Sequence, residues 1–201
     1  MADLQRKARG LVLVLLNIME VTIKHLREEE AFSRLPEEVQ NDIVVEFLIF
    51  FLHQYNRTLF AWLGESKRNE LMDSVLVELF VWLAERNHEE LSKGYEHLTV
   101  DTFGEYLEHL AVAKLRNLPD LYNEREREYA KYAEAPENGK GLAGTLLWEF
   151  GKRIAKAMGR ENDIFIIMEA SLLGTGWTHF SDVMKQVLFQ DESRGGSSSQ
   201  L

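Results

Sequence analysis

The sequence predicts one all-α domain over residues 1–190, an irregular bundle of about six to eight helices. Apolar residues recur at helical spacing along almost the whole chain, and alternation of the kind seen in strands is almost absent. Prolines occur only at positions 36, 119 and 136, and each marks a boundary between predicted helices. No strict heptad pattern persists for three repeats, so a long coiled coil is not expected.

The first part of the chain predicts three helices. Helix one spans about Leu4–Glu30, and its middle is apolar on nearly all sides, which favours a central position in the fold. Helix two runs from Pro36, which a first helical turn tolerates, to about Leu63, with Gly64 as the natural stop. Ser66 is the predicted cap of helix three, which continues to about His88.

The middle of the chain is more polar. Residues Asn87–Leu98 are predicted to form a loop, and Thr99 or Asp101 is the expected cap of helix four. Pro119 should break or kink that helix. The charged segment Leu121–Ala135 then predicts a surface helix with a narrow aromatic stripe formed by Tyr122, Tyr129 and Tyr132.

The last part of the chain predicts helix six over about Leu142–Met158, ended by Gly159. Asn162 or Asp163 should cap helix seven, and a final helical segment should reach about Phe189. Residues 191–201 are rich in glycine and serine, so we expect a disordered tail there.

Composition restricts the partners that the protein can have. The formal net charge is −10, which disfavours binding to nucleic acid and to anionic lipid and favours basic partners. No cysteine is present, so disulfides and thiolate metal sites are excluded. The apolar run Leu11–Leu16 is too short to cross a bilayer. We therefore expect a cytoplasmic protein without a membrane span.

The sharpest candidate site is a polar stripe on helix two. At 100° per residue, Glu46, His53 and Arg57 lie within about 40° of one another. A carboxylate, an imidazole and a guanidinium on one face could perform acid–base chemistry or hold an anionic ligand. The simpler interpretation is that this stripe is the one solvent-facing edge of a largely buried helix, and that interpretation is favoured.

Glu169 is the next candidate, because it interrupts the apolar segment Ile164–Leu173. Four carboxylates lie in apolar helices, as in di-iron bundles, and they are Glu20, Glu46, Glu78 and Glu169. A di-iron site also needs two Glu-x-x-His motifs, whereas we find one, Glu85 to His88, at a helix end. We therefore expect no metal and no cofactor, and a Glu169 that binds a ligand, pairs with a basic residue or reaches solvent.

The glycine-rich segment Gly139–Gly144 has the spacing of a dinucleotide fingerprint. The residues before it are acidic and do not form a strand, which that site requires, so we treat the match as accidental. A weaker hypothesis is that the loop holds an anion at the start of helix six, with help from Lys140 and Thr145. A flexible loop followed by a helix cap is the simpler interpretation.

Three functions are compatible with these patterns. The first is a non-enzymatic interaction or regulatory protein that forms a homodimer, which fits the lack of catalytic motifs and the excess of apolar helix surface. The second is a protein that binds a small apolar ligand or lipid in a closed cavity, with Glu46, His53 or Arg57 as polar anchors. A carboxylate-rich metalloenzyme is the third and the least favoured.

Overall fold

The computed structural model describes residues 2–85, 117–134 and 141–189, and the regular elements of these segments are helices apart from one isolated β-bridge. In chain order the elements are α1 (Ala2–Glu28), α2 (Glu30–Ser33), α3 (Glu37–Leu63), α4 (Glu65–Glu85), α5 (Leu118–Tyr129), α6 (Leu146–Ala157), α7 (Ile164–Gly174), a 3₁₀ helix (Gly176–Phe180) and α8 (Ser181–Phe189). The predicted all-α fold class is confirmed.

The two longest helices, α1 and α3, form the centre of the fold. Every residue of the α1 segment Leu11–Leu16 is buried, and so is every residue of the α3 segment Phe47–Tyr55. Such segments need cover on all sides. Helices α4 and α8 pack against α1, whereas α4, α5, α6 and α7 all contact α3. The central position predicted for the first helix is confirmed, and α3 shares it.

Backbone conformation explains where the first helices end. Glu29 adopts an extended conformation with ψ of 119°, so α1 ends at Glu28 and a separate short helix, α2, follows. The predicted single helix to Glu30 is therefore slightly too long. Pro36 precedes the first residue of α3, and Gly64 ends α3 with a φ of 75°, a conformation that favours glycine.

Two helix starts in the second half differ from the prediction. Helix α5 begins at Leu118, not at Leu121, and Pro119 lies in its first turn, where a missing N–H costs no intrahelical hydrogen bond. Helix α6 begins at Leu146, not at Leu142, because the Thr145 hydroxyl accepts a hydrogen bond from the backbone N–H of Trp148 at 3.3 Å. Asp163 caps α7 as predicted.

An aromatic cluster joins α3 to α6. The rings of Phe50 and Phe150 stack with centroids 4.0 Å apart, and Phe47 meets Phe150 edge to face at 4.8 Å. Next to this cluster, α6 and α7 approach closely at Gly151, which is buried. The Ser171 hydroxyl lies between the two helices and contacts the carbonyl oxygens of Leu147 and Ile167.

Several predictions lie outside the described residues. Among them are the loop Asn87–Leu98, helix four up to residue 116, and the disordered tail over residues 191–201. Of the helices that the structure does describe, none has both the length and the apolarity needed to cross a bilayer.

Candidate functional site

Helix α5 covers the polar stripe of α3 that the sequence singles out. Tyr122 and Tyr129 of α5 are buried, so the predicted aromatic stripe faces inward while the charged residues beside it reach α3 and α6. Together these side chains form what we call the polar layer: Glu46, His53, Asn56, Arg125, Glu126, Glu128, Tyr129 and Arg153. At Glu46 and His53 the stripe is therefore an interface between helices and not a solvent-facing edge.

Glu46 occupies one end of the polar layer. Its carboxylate accepts a hydrogen bond from Nε of Arg125 at 3.1 Å and lies 3.6 Å from Nε of Arg153. The hydroxyl of Tyr129 donates to Oε1 of Glu46, which is the oxygen near Arg153, whereas Arg125 donates to Oε2. Glu128 contacts both arginines as well. Two carboxylates thus neutralise two guanidinium groups from different helices.

The protonation states of Tyr129 and Arg125, at this end of the polar layer, follow from their burial and from the charge of Glu46. Burial raises the pKa of Tyr129 well above its ordinary value, and the charge of Glu46 raises it further, so the phenol remains a proton donor. Burial opposes the charge of Arg125, but the charge of Glu46 and a hydrogen bond to it outweigh that effect and raise the Arg125 pKa. Arg125 therefore stays charged, and this end of the layer is typical of a structural ion-pair network.

His53 occupies the other end and is buried, with 1% of its surface exposed. Its Nδ1 lies 2.8 Å from Glu126 Oε2, and Asn56 donates to the other oxygen of Glu126 at 2.5 Å. The second ring nitrogen, Nε2, has no hydrogen-bonding partner within the described segments. A carboxylate that orients a histidine is a known arrangement for acid–base chemistry, but a substrate has no access to a ring buried this deeply.

Arg57 lies at the open edge of the same helix face. Its Nε lies 2.8 Å from Glu134 Oε1, and Nη1 donates to the carbonyl oxygen of Tyr132 at 3.3 Å. The side chain is 34% exposed and borders a surface pocket. Of the predicted anchors on this face, Arg57 is the one that a dissolved ligand can reach.

Glu169 lies apart from the polar layer, on α7 beside the end of α1. It is exposed and lies in a shallow groove that also contains Glu29 and Leu26. Partial burial raises the pKa of Glu169, and the neighbouring carboxylate of Glu29 raises it further, against the opposing effect of His25. The structure therefore brings Glu46, His53 and Arg57 to one face of α3 but does not bring Glu169 to them.

The raised pKa of Glu169 predicts a pH-dependent effect on stability. A glutamate with a raised pKa in the folded state stabilises the fold below the unfolded-state pKa, and this stabilisation is lost as the pH rises through the folded-state pKa. Glu169→Gln should therefore raise the Tm at pH 7, and the gain should vanish at about pH 3, where the carboxyl is protonated in both states. Thermal unfolding at both pH values tests this.

Two variants serve as controls for that experiment. Glu70→Gln removes an exposed charge on α4 and should leave the Tm unchanged at both pH values. Glu29→Gln removes the neighbouring carboxylate, so the gain from Glu169→Gln should be smaller in that background. An equal gain in Tm from Glu169→Gln at both pH values would contradict a raised pKa of Glu169.

The outer face of α7 is a separate feature that the sequence patterns did not single out. Four large apolar side chains are exposed along it, and we call them the α7 patch: Ile164, Phe165, Met168 and Leu172. Phe165 is 82% exposed and Leu172 is 71% exposed. Spacings of three, four and seven residues place these side chains on one face, which is the signal that the sequence contained.

Three of the four carboxylates that suggested a di-iron site lie apart from one another. Glu46 contacts the arginines of the polar layer, Glu78 contacts Arg9 and Gln5, and Glu169 lies near Glu29. Within the described residues, no group of three or more possible metal-binding side chains is found. His88 lies outside these residues.

The remaining predicted features concern cavities and the glycine-rich loop. The groove beside Glu169, which Phe32 and Met158 also border, has a volume of about 30 Å³, which holds no more than about one water molecule. Gly141 and Gly144 have φ values of 62° and 80°, whereas Gly139 and Lys140 lie outside the described residues.

Comparison of the chain with protein families, with curated proteins and with solved structures gives no match. Function is therefore inferred from the geometry of the described residues.

Proposed function

We propose that the protein is a non-enzymatic interaction module that binds a second copy of itself through the α7 patch. The observation that carries the proposal is the exposure of Phe165 and Leu172 beside Ile164 and Met168 on a single helix. Scattered exposed apolar residues are common on soluble proteins, but a contiguous cluster of large side chains marks an interaction surface.

Charge favours a second copy as the partner. The chain carries a formal charge of −10, so two copies repel one another over most of their surfaces. Residues 141–174, which contain α6 and α7, carry four basic and four acidic side chains and are therefore neutral. Contact through this region brings two copies together with little like-charge repulsion.

The spacing of the patch suits a two-fold arrangement. If two α7 helices pack antiparallel about an axis near Met168, Phe165 of one copy lies opposite Leu172 of the other, because these residues lie three positions before and four positions after Met168. Each copy then covers the most exposed apolar side chains of its partner. The interface is self-complementary, as a two-fold axis requires.

The mass of the protein in solution tests this proposal. We expect the mass of two chains at micromolar concentrations, in analytical ultracentrifugation and in native mass spectrometry. Phe165→Asp should shift the mass to one chain, because it places a charge in the centre of the interface. Val77→Asp is the matched control, since Val77 is 61% exposed on α4, and it should remain dimeric.

A cross-link tests the position of the axis. The chain has no cysteine, so Met168→Cys introduces a single thiol. An axis near Met168 brings the two thiols together, and mild oxidation should give a disulfide-linked dimer. Val77→Cys should remain unlinked. A wild-type protein with the mass of one chain at all concentrations, or a Phe165→Asp variant that still dimerises, would overturn the proposal.

A further inference from the structure

A pocket of about 330 Å³ opens where the end of α3, the start of α4 and the chain after α5 meet. Its volume falls within the range of small-molecule sites, roughly 300–1,000 Å³. The lining residues are Asn56, Arg57, Phe60, Ala61, Arg68 and Glu134. None of them belongs to α7, so the pocket is separate from the surface proposed for self-association.

The second arginine of the pocket, Arg68, is held in place by two contacts. Its Nη1 donates to Asn56 Oδ1 at 2.7 Å, and its guanidinium carbon lies 5.6 Å from the centroid of the Phe60 ring. Nε of Arg68 is buried and has no acceptor within the described segments. A guanidinium has five N–H donors, so Arg68 retains donors for a further acceptor.

The wall of the pocket is anchored to the polar layer. Asn56 accepts from Arg68 with its oxygen and donates with its nitrogen to Glu126, which in turn contacts buried His53. A site held in place by such contacts loses little conformational entropy when a ligand binds.

The contact of Glu134 with Arg57 indicates which kind of chemical group the pocket can bind. Its carboxylate lies 2.8 Å from Nε of Arg57, and its side chain is 57% exposed. The backbone next to Glu134 is held at the start of α6, since the carbonyl oxygen of Ala133 accepts a hydrogen bond from the N–H of Leu146 at 2.8 Å. Exposed ion pairs of this kind are weak, so an external oxyanion can replace the Glu134 carboxylate.

We propose that this pocket binds a small organic oxyanion that carries an aromatic group. The oxyanion, a phosphate monoester or a carboxylate, takes the place of the Glu134 carboxylate on Arg57 and also accepts from Arg68. The aromatic group packs on Phe60, which is 53% exposed. Glu134 acts as an internal competitor that the ligand displaces.

Isothermal titration with phenyl phosphate tests this site. The wild-type protein should bind it saturably, with one molecule per chain. Arg57→Ala should weaken binding about tenfold, because it removes a charge-assisted hydrogen bond. Glu134→Gln should instead tighten binding about threefold, because the internal competitor loses its charge. Arg160→Ala removes an exposed arginine that does not line the pocket, and should leave the affinity unchanged.

Two further ligands test the contributions of the oxyanion and of the aromatic group separately. Benzoate in place of phenyl phosphate shows whether the site prefers a carboxylate or a phosphate. Inorganic phosphate should bind more weakly than phenyl phosphate, because it makes no contact with Phe60. Circular dichroism of each variant verifies that it is folded. Absence of saturable binding by the wild type, or a Glu134→Gln variant that binds no more tightly, would overturn the proposal.

Discussion

Replacing Glu46 by leucine should lower the free energy of unfolding by about 3 kcal/mol, the largest effect that we expect from one substitution in the polar layer. The change removes the carboxylate that Arg125 and Arg153 share, and leaves them with Glu128 and, for Arg125, the exposed Glu124. It also leaves the hydroxyl of Tyr129 without its acceptor in a buried position. A leucine offers no acceptor to the buried hydroxyl or to guanidinium groups that have lost most of their contact with water.

Chemical unfolding followed by circular dichroism measures this effect. Tyr129→Phe removes only the hydroxyl and its hydrogen bond, so it should cost about 1 kcal/mol. Glu149→Leu removes the partner of Lys152 in an ion pair whose lysine is 45% exposed, and it should change stability by less than about 1 kcal/mol. If Glu46→Leu and Glu149→Leu have equal effects, the polar layer does not stabilise the fold in the way described.

Gly151→Ala should lower the free energy of unfolding by about 2 kcal/mol, although alanine is the better helix former by about 1 kcal/mol. A Cβ atom at this position would lie 2.2 Å from the carbonyl oxygen of Ile167 and 2.5 Å from Oγ of Ser171. The carbonyl belongs to the backbone of α7, so the clash is relieved only by moving the two helices apart. That movement costs more than the helix propensity of alanine contributes.

The control for this variant is another glycine of the same chain. Gly176 has no heavy atom within 4 Å of an added Cβ and does not have a positive φ, so Gly176→Ala should be neutral or stabilising by up to about 1 kcal/mol. Thermal unfolding should show a Tm about 5 °C lower for Gly151→Ala than for the wild type. An unchanged Tm for Gly151→Ala would mean that α6 and α7 are not packed this closely.

The polar stripe on α3 shows what helical periodicity can predict and what it cannot. The helical repeat alone puts Glu46, His53 and Arg57 on one face, and the structure keeps them there. The residues that cover this face come from far along the chain, since the contact from Arg125 to Glu46 spans 79 positions and the contact from Glu126 to His53 spans 73. No local pattern indicates which of the charged segments packs on the stripe, so the sequence favoured a solvent-facing edge.

Sequence alone was enough to predict the fold class and several helix ends. Apolar spacing, the glycine at position 64 and the aspartate at position 163 act within one or two helical turns, so they do not depend on the rest of the molecule. The burial of His53 and the exposure of Glu169 required the tertiary structure, because each depends on a neighbouring helix.

Helix α7 shows most clearly the difference between what the sequence predicts and what the packing of helices decides. The segment Ile164–Gly174 is apolar on every side except at Glu169 and Ser171, so its composition does not indicate which face is buried. The close approach at Gly151 directs Ile167 and Ala170 inward and leaves Phe165 and Leu172 exposed to water. The sequence thus determined that this segment is an apolar helix. Packing against α6 decided which of its faces remains available to a partner, because burial depends on contacts between helices that no local pattern encodes.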